Sequence, residues 1–300
     1  EAFDQYDSVA NALSALEARR YLRLQGQVLH GRYRVEKALD ISSKAGVFKA
    51  FDTWIERPVT IKVLSRSLSE QADQILLNEA RALARLDHPN IVSVYDCFEH
   101  DDHLYLVREY AGGQPVRKWL AQFGPGMFAP VDQADRITTG ILEGLAYAHK
   151  RAIIHRHIQP KNIILSGDHV KIMNFGLADP PPSKWTAADI VYMPPEQLTE
   201  GELSAGSDLY ALGILIYELL TRRVPFEAET HAALIEKCIS APPRPPSEFN
   251  PNIPSQLEDL VLALLAKDAD ERPLSASEVL PRLAKGWALL QNPQALKQIA

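Results

Sequence analysis

The chain has 300 residues, 46% of them hydrophobic and 23% charged, which is enough apolar material for a substantial core and argues against a disordered chain. Its 32 Lys and Arg and 38 Asp and Glu give a net charge of -6, which argues against a nucleic-acid-binding protein with a broad basic face. The two cysteines, Cys97 and Cys238, lie far apart, so neither a disulfide framework nor a structural zinc site is expected, and a reducing cytoplasm is the simplest location.

The hydrophobic segments are too short to span a membrane. No run of about eighteen apolar residues is present, and the most hydrophobic segment, Leu209 to Leu220, falls short of that length. The sequence starts at Glu1 and has no basic-then-apolar leader, so we expect it to be a piece of a longer protein.

The predicted elements change character along the chain. Residues 8–24 predict a helix, with Val9, Leu13 and Leu16 on one side. Short β segments follow at 33–39, 46–52, 58–64, 91–99 and 103–109, with one helix at 72–86. Beyond Gly112-Gly113 the pattern predicts mainly helices, at 131–150, 207–221, 231–239, 256–266 and 276–290.

This division predicts an α+β fold of two lobes with a cleft between them. The smaller, β-rich N-lobe is expected over 31–111 and the larger, helical C-lobe over 112–290. Residues 1–30 are expected to form a helical extension or linker, and 291–300 a C-terminal tail.

Two of the predicted helices carry informative side chains. Glu79 lies on the same face of helix 72–86 as Ile75 and Leu83, and a carboxylate there needs a cationic partner because burying it alone is costly. Helix 207–221 is apolar on almost every side, which predicts a helix at the centre of the C-lobe.

A series of short motifs follows in a recognisable order. They are Ile61-Lys62-Val63, Glu79, His88-Pro89-Asn90, Glu109-Tyr110, His155-Arg156, Pro160-x-Asn162, Phe175-Gly176, Pro195-Glu196, Ser207-Asp208 and Arg272. From Gly31 to Trp287 this order resembles the eukaryotic-like (Hanks-type) protein kinase family. The loop 241–246 and the Asp-x-x-x-Arg-Pro motif at 268–273 resemble its bacterial Ser/Thr branch.

The glycine-rich flap of that family is altered here. In the family it covers the phosphates of ATP, because glycine lets backbone N–H groups approach closely. The three glycine positions carry Asp40, Ser42 and Ala45, and Asp40 places a negative charge where the family receives a polyanion. The resemblance therefore implies a degraded flap.

The catalytic loop and the metal site also depart from the family pattern. The proton acceptor is replaced by His157, and the lysine two positions later by Gln159. The metal-binding aspartate is replaced by Asn174 while Asn162 is retained, so both magnesium ligands would be neutral amides, although magnesium prefers anionic oxygens. The resemblance implies no metal site and no catalytic residue at these degenerate positions.

An arginine occupies the position that corresponds to the family's gatekeeper, the residue before the connector between the lobes. Arg108 immediately precedes the connector Glu109-Tyr110, and its guanidinium is permanently charged and needs a carboxylate. We predict that Arg108 reaches Glu79 or fills the nucleotide pocket itself, in competition with Lys62.

The positions that organise the lobes in this family are retained. The resemblance implies structural ion pairs or caps at Lys62, Glu79, Glu196, Arg272 and Asp208. It also implies a stacked hydrophobic column formed by Leu83, Val94, His155 and Phe175.

The residues that organise the fold are retained, whereas the flap, base and metal positions are altered. This combination predicts a catalytically inactive, degenerate member of the family, a pseudokinase that acts as a signalling scaffold or regulatory binding module. No cofactor is expected. Two alternatives stay open. One is a weak atypical kinase, or another nucleotide-dependent transferase, with His157 as base. The other is weak or metal-independent binding of ATP or ADP, with Lys62 and Arg108 holding the anion.

The expected partner is a protein or a fused effector domain rather than a nucleic acid. Helix 8–24 could dock on the N-lobe, mediate a dimer or form a linker. Arg156 could pair with a phosphate on Ser183 or Thr186, and Asp189, which replaces the family's threonine three residues before Tyr192, could instead hold that segment in one state.

Overall fold

The computed structural model describes residues 21–41, 45–65, 70–101, 103–124, 127–175 and 185–292. The chain forms two compact units, one of Glu1–Asp87 and Val92–Tyr110, and the other of His88–Ile91 and Ala111–Ala300. They are called unit 1 and unit 2 below. The predicted helix 8–24 lies outside the described residues except for its last four positions, of which 21 and 22 are helical.

Unit 1 is built on a six-stranded antiparallel sheet in the order β1-β2-β3-β4-β6-β5. Its elements are β1 (Val28–Leu29), β2 (Tyr33–Ile41), β3 (Ala45–Asp52), β4 (Arg57–Ser65), α1 (Glu70–Leu83), β5 (Val94–His100) and β6 (His103–Glu109). The five strands and the helix predicted for this part are confirmed, with ends that move by three residues or fewer. Strand β1 was not predicted, since two residues show no alternation.

Alternation along β4 divides the core of unit 1 between two faces of the sheet. Val59, Ile61 and Val63 are fully buried and share a cluster with Phe48 and other aromatic residues. The residues between them point to the opposite face because successive side chains of a strand alternate. Lys62 therefore lies on the face that meets α1, where it contacts Glu79.

The first described residues close the core of unit 1. Tyr21 is 2% exposed and belongs to the same cluster as Phe48. A Cβ on Gly46 would lie 2.6 Å from Phe48 Cε2 and 3.1 Å from Tyr21 Cγ, so this glycine makes room for two aromatic rings. Tyr21 therefore packs on unit 1, and the alternatives for the rest of helix 8–24 stay predictions.

Unit 2 is mainly helical and contains a small three-stranded sheet in the order β7-β8-β9. Its elements are β7 (Gln114–Pro115), α2 (Val116–Leu120), α3 (Val131–His149), β8 (Ile163–Ser166), β9 (His169–Ile172), α4 (Ala187–Ile190), α5 (Pro195–Leu198), α6 (Ala205–Thr221), α7 (His231–Ser240), α8 (Ser255–Leu264) and α9 (Ala276–Gln291). The five long helices match their predicted ranges to within two residues at each end.

Helix α6 forms the centre of unit 2, as its apolar composition predicts. Fourteen of its seventeen residues are buried. The helix is capped by Ser204, whose hydroxyl accepts from the Gly206 N–H, and it begins at Ala205. Asp208 therefore does not cap this helix; it lies in its first turn and accepts hydrogen bonds from elsewhere in unit 2.

Two sequence predictions are corrected. The small sheet was missed because its strands have only two to four residues, which is too short for a period of two to be visible. The strand predicted from Ile91 begins at Val94 instead, and Ile91 forms an isolated parallel bridge with Ile172 in unit 2. Over the described ranges, no helix combines the length and apolar character needed to cross a membrane.

Candidate functional site

Unit 1 contains a buried triad of one carboxylate and two cations. Lys62 Nζ lies 2.6 Å from Glu79 Oε2, and Arg108 Nη1 lies 3.1 Å from Glu79 Oε1. The side chain of Glu79 is fully buried, whereas those of Arg108 and Lys62 are 5% and 15% exposed. The contact expected between Arg108 and Glu79 is therefore present, and the triad carries a net charge of about +1.

The register of the sheet explains how the triad forms. Strands β4 and β6 pair so that Thr60 lies opposite Arg108 and Lys62 lies opposite Leu106. Arg108 and Lys62 are thus two positions apart along one face, and both reach the same carboxylate on α1. Thr60 is buried on the same face as Lys62 and Arg108. The family usually has alanine at this position.

The structure describes only part of the flap. Asp40 is exposed on β2 and pairs with Val47 of β3, and Ala45 begins β3. Ser42 lies outside the described residues. Gly46, the one glycine close to the family positions, packs against the aromatic rings described above.

The catalytic-loop motif of unit 2 is anchored by a buried neutral histidine. His155 Nε2 lies 2.7 Å from the Met173 carbonyl oxygen, and its Nδ1 lies 3.1 Å from the His157 backbone nitrogen. Because the carbonyl only accepts and the amide only donates, the proton resides on Nε2. Burial lowers the pKa of His155 to about 4, and its ring packs edge-on against Phe175 at 4.6 Å between ring centroids.

The two positions that hold metal in the family contact each other in unit 2. Asn174 Nδ2 donates to Asn162 Oδ1 at 2.9 Å, and Asn162 Nδ2 donates to the His157 carbonyl at 2.7 Å. Asn162 is buried, and Asn174 has a left-handed backbone with φ of 65°. The amide oxygen of Asn162 is therefore turned toward an N–H donor.

This donor set does not suit magnesium. Mg²⁺ takes hard, usually anionic oxygens in octahedral geometry, whereas these positions supply two neutral amides that are hydrogen-bonded to each other. The described residues also include no cluster of three or more His, Cys, Asp or Glu side chains arranged to hold a metal ion.

Asp208 holds the start of the catalytic loop. Its Oδ2 accepts from the His155 N–H at 2.8 Å and lies 2.8 Å from His149 Nε2, and its Oδ1 accepts from the Arg156 N–H at 2.8 Å. Arg156 has φ of 73°, a conformation that these bonds to two successive amides help to hold. Asp208 thus positions the backbone at the start of the loop.

Asp189 forms a contact that the sequence did not predict. Its Oδ1 lies 2.5 Å from Lys161 Nζ, in the turn that follows His157. Its Oδ2 accepts from the Thr186 hydroxyl at 2.6 Å, and the Asp189 N–H donates back to that hydroxyl at 3.2 Å. A phosphate on Thr186 would disrupt this cap, so pairing of such a phosphate with Arg156 requires the turn to open.

A second buried ion pair stabilises unit 2. Arg272 donates to both carboxylate oxygens of Glu196, at 2.7 and 2.8 Å. Its remaining N–H groups donate to the carbonyls of Gly206, Ala266 and Lys267. The Ser207 hydroxyl donates to Glu196 at 2.7 Å, and although burial acts to raise the pKa of this carboxyl, the bonds from Arg272 and Ser207 lower it overall.

The buried state of His155 predicts acid sensitivity. Its pKa falls from 6.5 to about 4 on folding, so between these pH values the unfolded chain binds a proton that the folded chain does not. Folding stability is therefore expected to fall as the pH is lowered from 6.5 to 4, by about 3 kcal/mol from this group. Urea unfolding across this pH range measures the effect.

The matched variant for this prediction is His155→Phe. It loses hydrogen bonds and will be less stable at every pH, so the slope of stability against pH is the quantity to compare. An equal slope in the two proteins would contradict the prediction.

The structure brings together some of the predicted residues and separates others by unit. The triad and the flap positions belong to unit 1, whereas His155, His157, Asn162, Asn174 and Phe175 belong to unit 2. Of the expected hydrophobic column, the contact between His155 and Phe175 is present within unit 2, and Leu83 and Val94 lie in unit 1. Sequence reasoning missed Lys161, whose only signal was its position between Pro160 and Asn162.

Comparisons with known proteins show which family this chain belongs to. The protein kinase domain model matches residues 33–282. Serine/threonine-protein kinase PrkC of Bacillus subtilis is 33% identical over 267 residues, which cover 85% of this chain and 40% of PrkC. Serine/threonine-protein kinase PknB of Mycobacterium leprae is 34% identical over 90% of this chain and 45% of PknB, so the chain spans less than half the length of either relative.

Solved structures give the same result for the fold. The kinase domain of Mycobacterium tuberculosis PknI superposes with a TM-score of 0.69 and 25% identity, over 87% of this chain and 98% of that domain. The extent of the family match and the identity to the curated relatives establish more than a shared fold. The chain is a member of the protein kinase domain family, in its bacterial Hanks-type Ser/Thr branch.

Proposed function

We propose that this chain is a catalytically inactive kinase domain, a pseudokinase, which acts as a signalling scaffold or allosteric binding module. The observation that carries the proposal is the 2.9 Å hydrogen bond between the Asn174 and Asn162 amides. These are the positions from which protein kinases hold Mg²⁺, and here they are neutral amides joined by a hydrogen bond.

Further positions support the same proposal. His157 stands where the family has its acidic proton acceptor, and Gln159, which replaces the lysine, is buried. Asp40 is exposed at the first glycine position of the flap. Phosphoryl transfer depends mainly on positioning and electrostatics, so changing these charges removes its principal means of catalysis.

A weak atypical kinase that uses His157 as base is the second candidate. The observation that favours it is the ordered backbone at this residue, whose N–H donates to His155 and whose carbonyl accepts from Asn162. Histidine can serve as a general base, and general-base catalysis contributes about 10²- to 10⁴-fold. The loop thus holds the His157 backbone in place.

Metal-free binding of ATP or ADP is a variant of the first candidate. Lys62 and Arg108 share one carboxylate, so together they keep one positive charge in excess. An anion that bound there would need no metal ion. The partner in all these cases is expected to be a protein or a fused effector domain, because the relatives extend well beyond the matched segment.

A titration of melting temperature against ATP and ADP, with and without Mg²⁺, tests the proposal. We expect no magnesium-dependent shift, whereas a ligand at about 100 times its Kd would stabilise the native state by about 2.7 kcal/mol. Asn174→Asp is the matched variant, because it restores an anionic metal ligand and is expected to gain a magnesium-dependent shift.

The other outcomes separate the candidates. A magnesium-dependent shift in the unmodified chain, with transfer of radiolabelled phosphate above the His157→Ala background, would overturn the proposal in favour of an active kinase. A shift that survives a chelator and is lost in Lys62→Met would support metal-free anion binding.

A further inference from the structure

We propose that Lys161, Asp189 and Thr186 form an ionic latch that holds residues 186–193 on the catalytic loop of unit 2 without any covalent modification. The inference rests on the proposed function, because a domain that works by binding a partner needs residues 186–193 to keep one conformation. The latch consists of the side chains that hold this segment in place.

The two oxygens of Asp189 have different tasks. Oδ1 lies 2.5 Å from Lys161 Nζ, while Oδ2 accepts from the Thr186 hydroxyl at 2.6 Å and from the Thr186 N–H at 3.2 Å. One carboxylate therefore closes the cap of helix α4 and joins that helix to the loop. Neutral side chains at position 189 could close the cap but could not pair with lysine.

The ion pair of the latch is intermediate in solvent exposure between a surface ion pair and a buried one. The side chain of Asp189 is 18% exposed and that of Lys161 is 52% exposed. Burial acts to raise the pKa of Asp189, but the hydrogen bonds from Lys161 and Thr186 outweigh it and lower the pKa overall. The ionised form that the latch requires is therefore favoured in the folded state.

The anchor points on each side of the latch are fixed. Lys161 lies in the 3-10 turn Pro160–Asn162, whose last residue is tied to the His157 carbonyl. On the other side, Ile190 is 1% exposed, and the Tyr192 hydroxyl donates to the Glu218 carboxylate. The pair thus connects two ordered segments rather than two free chain ends.

The latch gives a structural basis for the substitution at position 189, which could hold this segment in one state. Where the family has a threonine three residues before Tyr192, this chain has Asp189, and the catalytic loop carries His157 and Gln159. The acidic group now lies on the segment, and the cation comes from Lys161. The loop and the segment are therefore joined by an ion pair that a neutral threonine could not form.

Hydrogen exchange of the intact chain tests the latch. The amides of Asp189 to Met193 are protected by local bonds that follow the Thr186 cap. We expect Lys161→Met to speed their exchange about threefold, which corresponds to a half-exposed ion pair, and Thr186→Ala to speed it about fivefold, the scale of a lost cap.

Control variants show whether faster exchange is specific to the loss of the latch. Arg136→Met breaks another partly exposed ion pair, with Asp168, and is expected to leave amides 189–193 unchanged. Lys161→Arg keeps the cation on the loop, leaves Asp189 and its cap unchanged, and should retain most of the protection that Lys161→Met loses.

Two results would overturn the latch. The first is unchanged exchange of these amides in Lys161→Met. The second is equally faster exchange across helix α6, which would indicate global rather than local opening. Neither depends on nucleotide binding or phosphoryl transfer, so the latch and the proposed function fail separately.

Discussion

Glu79→Gln is expected to destabilise the chain by about 3–5 kcal/mol, because it leaves two largely buried cations without their shared carboxylate. Lys62 and Arg108 both contact Glu79, whose side chain is fully buried. The glutamine amide can accept from only one of them, and its NH₂ group would face the other donor. Urea unfolding of the purified variant gives the difference in the free energy of unfolding.

Single changes of the cations are the controls for this prediction. Lys62→Met leaves the Arg108–Glu79 pair neutral and intact, so we expect a cost of about 1 kcal/mol or less. Arg108→Met is expected to have a similarly small cost, because it leaves the Lys62–Glu79 pair intact. If Lys62→Met cost as much as Glu79→Gln, the two cations would not be redundant and the shared-carboxylate description would be wrong.

This redundancy changes how helix α1 is held. In a domain with a single Lys–Glu pair, loss of the lysine releases the helix from the sheet. Here a second strand supplies Arg108, so α1 has two attachments to paired strands. Such an arrangement fits a domain that keeps one conformation, as the proposed binding function requires.

The sequence predicts this part of the site because burial has an energetic consequence. Glu79 lies between Ile75 and Leu83 on one helical face, and a carboxylate there needs a cation. Arg108 precedes the connector and needs an acid, so their contact follows from the two requirements together. The strands β2 to β6 are likewise predictable, since each has seven or more residues and lies between polar turns.

Other features have no comparable signal in the sequence. Lys161 and Asp189 are 28 positions apart, and an exposed lysine has no need of a particular partner. The small sheet β7-β8-β9 is too short for its period to be read. Tyr21 fills a core formed mostly by distant strands, so only the folded structure pairs it with Gly46.

The second large effect is expected at the centre of unit 2. Arg272→Met should cost about 3–5 kcal/mol, because it leaves the Glu196 carboxylate without its bidentate partner in a largely buried place. The side chain of Arg272 is fully buried, and that of Glu196 is 15% exposed. Thermal and urea unfolding measure the loss.

The geometry of Arg272 also predicts that lysine cannot replace it. The guanidinium uses all five N–H groups, two on Glu196 and three on backbone carbonyls. An ammonium has three donors at a single point, so Arg272→Lys would leave some of these acceptors unpaired and should recover only part of the stability. Arg244→Met, which breaks a well-exposed pair with Glu248, is the control and should cost less than about 1 kcal/mol. If Arg272→Met cost no more than that control, the buried pair would not be what joins α5 to the segment that precedes α9.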